Sequence, residues 1–309
     1  MTAALALVLL AGTSSALEVR VRGPAGTLAG TLTLPARGRA PFPAVVTLTG
    51  SGAHYRDGNR TPEHPYRPFL HISETLAGCG IATLRLDDRG IGGSLGDADA
   101  ATADDTAADA RAALAFLRAR PDIDARRLGL VGHSYGGEIA PMVAAEDPSV
   151  AAVALLAAPA RTFRETVRYQ NRYRIENDPD VPAAAREAVL AESMRQQALN
   201  VAASAEAWRR SIQDRDPLPT ARRLRMPVLI LHGLTDRAVD PEDARMLERA
   251  IREAGNRRVE LRLFPGVNHH FQHDAVGARE GYDTLPRQDL APEVLEALCS
   301  WLGATLSQR

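Results

Sequence analysis

The sequence predicts an α/β fold with a mostly parallel central sheet flanked by helices, on three observations. Short, nearly continuous apolar runs recur at 44–50, 81–87, 127–134, 150–159, 226–233 and 259–266, as buried strands do. Helix-patterned stretches alternate with them, which implies a sheet covered on both faces. The alternation stops between about residues 160 and 223, where the chain is polar and helix-favouring with no strand-like run, so that stretch is expected to be an inserted helical cap.

The elements follow in order. LEVRVRG and TLAGTLTLP alternate apolar and polar residues around GPAG and predict a β-hairpin. AVVTLTG is a buried strand ending in glycine, HISETLAGCG a helix with a glycine stop, and IATLRLD the next strand. Residues 101–119 carry acidic residues early and arginines late, the distribution a helix dipole favours. RLGLVGHS then predicts a strand, GGEIAPMVAA a helix and VAAVALLAAP a strand. Beyond the cap come MPVLILHG, a helix over 241–254, VELRLFPG and a last helix from about 291 to 304. One domain over 17–309 is expected, with the cap inserted into it.

Composition narrows the chemistry. The chain has 309 residues, 45% hydrophobic and 24% charged, with a formal net charge of −1. That balance gives no electrostatic reason to expect a nucleic acid partner or an anionic membrane surface. All 37 basic residues are arginine. Without lysine there is no Schiff-base chemistry on the chain and no Walker P-loop.

Residues 1–16 contain the apolar run ALALVLLA, with Ser14 and Ala16 placed where a signal peptidase accepts small side chains. A signal peptide over 1–16 and export to the periplasm or exterior are expected, although no arginine forms a basic n-region. The run is too short for stable membrane insertion. Cys79 and Cys299 lie 220 residues apart, a separation that says nothing about proximity; two buried, unpaired thiols are expected, with pairing left open.

The strongest local signal is Gly132-His133-Ser134-Tyr135-Gly136, a G-x-S-x-G between an expected strand and an expected helix. A serine on such a tight turn is exposed as a nucleophile, and the N–H that follows it can stabilise an oxyanion at the helix N-terminus. Serine needs a base, and that base needs an orienting acid. Reactive groups in an open parallel sheet gather beyond the carboxyl ends of the strands. Past the later strands lie HGLTD, with Asp236, and PGVNHH, with His269 and His270.

GHSYGG, LHGLTDRAV and FPGVNHHF resemble the nucleophile elbow, acid loop and histidine loop of bacterial α/β-hydrolase esterases. TLTGSGAHYRDG and LRLDDRGIGGS are similar to loops of a secreted esterase branch close to serine-aminopeptidase-like hydrolases. The resemblance implies Ser134 as nucleophile, Asp236 as acid and His269 as general base. It also implies an oxyanion hole from the N–H groups of Tyr135 and Ser51. Thr49 stands where many relatives have histidine. Asp240 is the rival acid and His270 the rival base; Asp240 looks like the N-cap of PEDARMLERA.

The function expected is cleavage of small-molecule carboxylic esters through an acyl-enzyme, with no cofactor and no metal. A serine aminopeptidase or amidase with the same triad is the alternative, and a non-catalytic binding module is a further one. An aminopeptidase would need an acid for the substrate amine, for which the cap offers Glu165 and Glu176. Arg161, Arg164, Arg168 and Arg172 share one helical face, either as a basic lip for an anion or as a solvated face. His133 and His232 are expected to be hydrogen-bonded structural histidines. Arg56 and Asp57 are expected to brace the oxyanion loop by ion pairing. Acyl and alcohol preference and oligomeric state are not readable at this level.

Overall fold

The computed structural model describes residues 14–307. Most of the expected signal peptide lies outside the described residues. Its last two positions, Ser15 and Ala16, lie in the first strand, opposite Leu34 and Thr33.

Strands β1 (Ser15–Gly23) and β2 (Gly26–Leu34) form the expected hairpin. β3 (Phe42–Leu48), β4 (Ala82–Leu86), β5 (Ile123–His133), β6 (Ala152–Leu156), β7 (Val228–Gly233) and β8 (Val259–Phe264) complete one sheet in the order β1-β2-β4-β3-β5-β6-β7-β8. Only the two pairings of β2, with β1 and with β4, are antiparallel; from β4 to β8 every pairing is parallel. Parallel strands leave all their carboxyl ends on one edge, and that edge carries the site.

Alternation along the strands supplies a core on each side. Ala44, Val46 and Leu48 face one cluster with Val228 and Ile230, while Val45, Leu229 and Leu231 face the other. Helices α1 (Pro68–Gly78) and α9 (Pro292–Ser307) cover the second face. α2 (Ala103–Arg118), α3 (Tyr135–Ala144) and α8 (Glu242–Glu253) cover the first. α2 is started by a reciprocal capping box between Thr102 and Asp105, and it buries Ala103, Ala107, Ala110 and Leu114. Small residues on that face let it approach the sheet closely. α1 begins three residues earlier than the sequence suggests, because Pro68 at its first turn carries a φ already suited to a helix.

Between β6 and β7 the described chain is helical: α4 (Phe163–Glu176), α5 (Arg186–Ala203), α6 (Ala207–Ile212) and α7 (Leu218–Ala221). α5 buries only Leu190 and Val201, whereas Trp208 and Ile212 of α6 pack into the main core. No described helix is long and apolar enough to cross a membrane.

The expectation of two free thiols is corrected. Cys79 and Cys299 form a disulfide, with Cα atoms 6.1 Å apart. It joins the C-terminal end of α1 to α9, two helices that the sheet places side by side.

Candidate active site

Ser134 sits where β5 passes into α3, with φ 54° and ψ −118°, a conformation that L residues rarely adopt. The flanking glycines make it possible. A Cβ on Gly132 would collide with the carbonyl of Gly136, and one on Gly136 with the carbonyl of Leu48. The turn is locked by Ser134 N–H donating to Leu156 O at 2.8 Å and Gly137 N–H donating to Ser134 O at 2.8 Å.

Asp236 follows β7 and is fully buried. Its Oδ1 accepts the backbone N–H groups of Ala238 and Val239 at 2.7 and 2.8 Å. Its Oδ2 lies 2.8 Å from His269 Nδ1 and 3.1 Å from His232 Nε2. Burial alone would raise this carboxyl's pKa. The charge and hydrogen bonds of His269 and His232 outweigh burial and hold it well below the usual range. His232 is itself fully enclosed; burial opposes its charged form, but the Asp236 carboxylate raises its pKa overall. Its Nε2 also lies 3.2 Å from the Val239 carbonyl, so the ring braces the loop after β7 as well as touching Asp236.

With Nδ1 committed to Asp236, His269 keeps Nε2 unpartnered among the described residues, and His269 and Ser134 line one cavity of about 690 Å³. His270 lines the same cavity but makes no hydrogen bond to Asp236; its ring stacks on Tyr66 with centroids 4.3 Å apart. Asp240 pairs with Arg161 at 3.0 Å and accepts Glu242 N–H at 3.0 Å at the start of α8, as a residue opening a helix does. His133 Nε2–H donates to the His269 carbonyl at 2.9 Å, and burial depresses its pKa to about 3.

Gly50 and Ser51 line the cavity beside Ser134 and Tyr135. The backbone N–H groups of Ser51 and Tyr135 have no acceptor among the described residues. Thr49 donates to Asp88 at 2.8 Å, and Asp88 also accepts His54 N–H at 2.9 Å. Burial pushes Asp88 up to about 7. Arg56 forks onto Asp87 at 3.0 and 2.8 Å and reaches Glu18, while Asp57 pairs with Arg85. The loop after β3 is thus tied to the loop after β4.

Residues 63–275 match the family model described as Hydrolase_4, serine aminopeptidase S33. The chain belongs to this family. Esterase EstD of Thermotoga maritima is 25% identical over 279 residues, covering 89% of this chain and 65% of that protein. The chain thus spans a little under two thirds of that relative's length. Among solved structures, Pyrococcus furiosus esterase Pf2001 has a TM-score of 0.62 at 16% identity, covering 95% of this chain and 92% of that one. Est1E of Butyrivibrio proteoclasticus has a TM-score of 0.61 at 18% identity, covering 94% and 99%. These likenesses establish the α/β-hydrolase fold for this member of the S33 family.

The helices after β6 roof the S33 cavity through Phe163, Thr166, Gln170 and Trp208. A basic lip is not present. Arg161 binds Asp240 and Asp243, Arg164 binds Asp214, and Arg172 binds Glu187, so three of the four arginines are neutralised. Glu165 is used in the capping box of α4 and Glu176 lies near Arg172; neither lines the cavity. Arg279 and Tyr282, which do line it, come from a 3-10 turn, Arg279–Thr284, that follows the His269 loop and for which the sequence offered no motif. Among the described residues no group of three His, Cys, Asp or Glu side chains is arranged to hold a metal ion.

Proposed function

We propose that this protein is a serine hydrolase that cleaves carboxylic esters of small molecules by two-step acyl transfer. The observation that carries the reading is a strained Ser134 at a helix N-terminus, sharing one cavity with a histidine held by a buried aspartate. Ser134 Oγ attacks the ester carbonyl while His269 Nε2 takes its proton. Asp236 holds the ring by Nδ1–H and stabilises the imidazolium that forms. The N–H groups of Tyr135 and Ser51 receive the oxyanion, worth about 3–4 kcal/mol per donor in comparable sites. His269 then returns the proton to the leaving alcohol. Water activated by the same nitrogen attacks the acyl-enzyme, releasing the acid and restoring Ser134.

Ester rather than peptide cleavage is the reading adopted; the cap glutamates weighed as amine anchors stay outside the cavity, and the acids that line it are Glu138, Glu280 and Asp283. The esterase names among the relatives agree with this reading. A panel of short-chain p-nitrophenyl esters beside aminoacyl p-nitroanilides tests it. Turnover confined to the esters is expected; preferential release from the anilides would overturn it.

We further propose that residues 17–309 act as one hydrolase domain whose helices over about 160–223 cap the site. The chain is read as exported after loss of residues 1–16, and the Cys79–Cys299 disulfide supports an oxidising destination. N-terminal sequencing of protein recovered outside the cytoplasm tests this point.

A further inference from the structure

Acyl transfer leaves one wall of the cavity unused. Glu138 lies on α3 four residues beyond Ser134, one helical turn along the same face. It lines the cavity and is 5% exposed. Its carboxyl makes no hydrogen bond or ion pair among the described residues, and Oε1 is buried without a partner. Thr166, on α4 of the roof, lines the same cavity with its Oγ1 also buried and unpartnered. Phe163, Trp208 and Ile212 provide apolar surface in this part of the lining. Polar groups left without a protein partner at a cavity wall are satisfied by water or by a bound molecule, and a substrate that displaces the water must match them.

We propose that Glu138 and Thr166 form a polar subsite that selects esters bearing a hydroxyl group. The proposal rests on the esterase reading and names its substrate class. A hydroxyl is the group that matches. Burial pushes Glu138 up to about 8 against the opposing charge of Arg215, so at neutral pH it is an uncharged acid with one donor and one acceptor. A substrate hydroxyl complements both, and Thr166 offers a second hydroxyl partner. An ammonium group would have to ionise a buried acid and enter the field of Arg215. A substrate carboxylate would meet a group that itself becomes anionic as pH rises. A purely apolar chain would leave both polar groups unpaired, which is how a site built to hydrogen-bond discriminates against the analogue lacking the hydroxyl.

The test compares kcat/KM for matched esters in wild type, Glu138→Leu, Glu138→Gln and Thr166→Val. One arm places the hydroxyl in the acyl chain: p-nitrophenyl butyrate against 3-hydroxybutyrate, and hexanoate against 6-hydroxyhexanoate. The other places it in the alcohol: propyl against 3-hydroxypropyl butyrate. Wild type is expected to favour the hydroxylated member about tenfold in at least one arm. The ratio should fall to near one in Glu138→Leu, fall partly in Thr166→Val and largely persist in Glu138→Gln. A wild-type ratio near one in every arm, with plain esters turned over, would overturn the subsite and leave the esterase reading standing. So would a preference that survives Glu138→Leu. Absence of turnover on every ester would overturn the esterase reading and the subsite with it. Melting curves establish that each variant folds, and if Glu138→Leu does not, the wild-type and Thr166→Val ratios decide.

Discussion

His133 and His269 are joined by a hydrogen bond from the Nε2–H of one to the backbone carbonyl of the other, 2.9 Å long. The residue before Ser134 thereby ties down the loop that carries His269, across 136 residues of sequence. A carbonyl only accepts, so His133 is the neutral tautomer with its proton on Nε2, in keeping with a pKa depressed by burial to about 3.

Replacing His133 by Phe keeps the ring packing and removes this tie. The His269 carbonyl is left without its partner, costing about 1–3 kcal/mol of stability. We expect kcat on p-nitrophenyl butyrate to fall at least tenfold with KM little changed. Because His133 is neutral across the working range, the wild-type rate profile above pH 5 should show no limb belonging to it. An unaltered kcat in a folded His133→Phe protein would show that the bond does not position the base.

His232 acts one step further back. Its contact with Asp236 helps keep a fully buried carboxylate ionised. His232→Phe leaves that carboxylate with His269 and two backbone donors, and kcat is expected to drop about tenfold, with partial recovery in His232→Gln, which retains a donor. A purely structural histidine would lower the melting temperature without this split between kcat and KM.

The Cys79–Cys299 bond closes most of the chain into one loop. Reduction, or Cys299→Ala, should destabilise the protein by about 2–5 kcal/mol, chiefly by freeing the unfolded chain. Thermal melts with and without reductant check this. The site lies on the strand edge rather than on the α1–α9 contact, so ester turnover at low temperature should survive reduction.

Glu138 gives a pH dependence with a definite sign. Its folded pKa, about 8, lies above its ordinary value of 4.5. Between those values the folded state binds more protons than the unfolded state, so this group makes stability fall as pH rises. Glu138→Gln removes the effect. The melting temperature of the variant minus that of wild type should climb by roughly 2–3 °C per pH unit from pH 5 to 8 and level off above. A difference independent of pH would mean that Glu138 is ionised in the folded protein.

The sheet, and the gathering of Ser134, Asp236 and His269 at one sheet edge, were legible in the sequence because each rests on a local pattern. Ser134 is framed by glycines whose places the backbone demands, and Asp236 and His269 stand just past apolar runs that end at the same sheet edge. What was not legible depends on packing between distant segments. The disulfide requires α1 and α9 to be neighbours, which a separation of 220 residues does not reveal. Glu138 reads in sequence as an ordinary polar helix position, and its burial is set by segments distant in the chain. Arg279 and Tyr282 reach the cavity from a loop without periodicity. Arg161 and the arginines of α4 were visible, but their carboxylate partners on α8, α5 and the α6–α7 connection were not.

The central claim is that Ser134 is the acylated nucleophile, and covalent labelling tests it most directly. Wild type treated with a fluorophosphonate and digested should carry one adduct, on the peptide containing Ser134, with ester turnover lost in step. Ser134→Ala, equally folded, should take up no label and show no turnover. Labelling that persists in Ser134→Ala, or a folded wild type that is neither labelled nor active on any ester, would contradict the account.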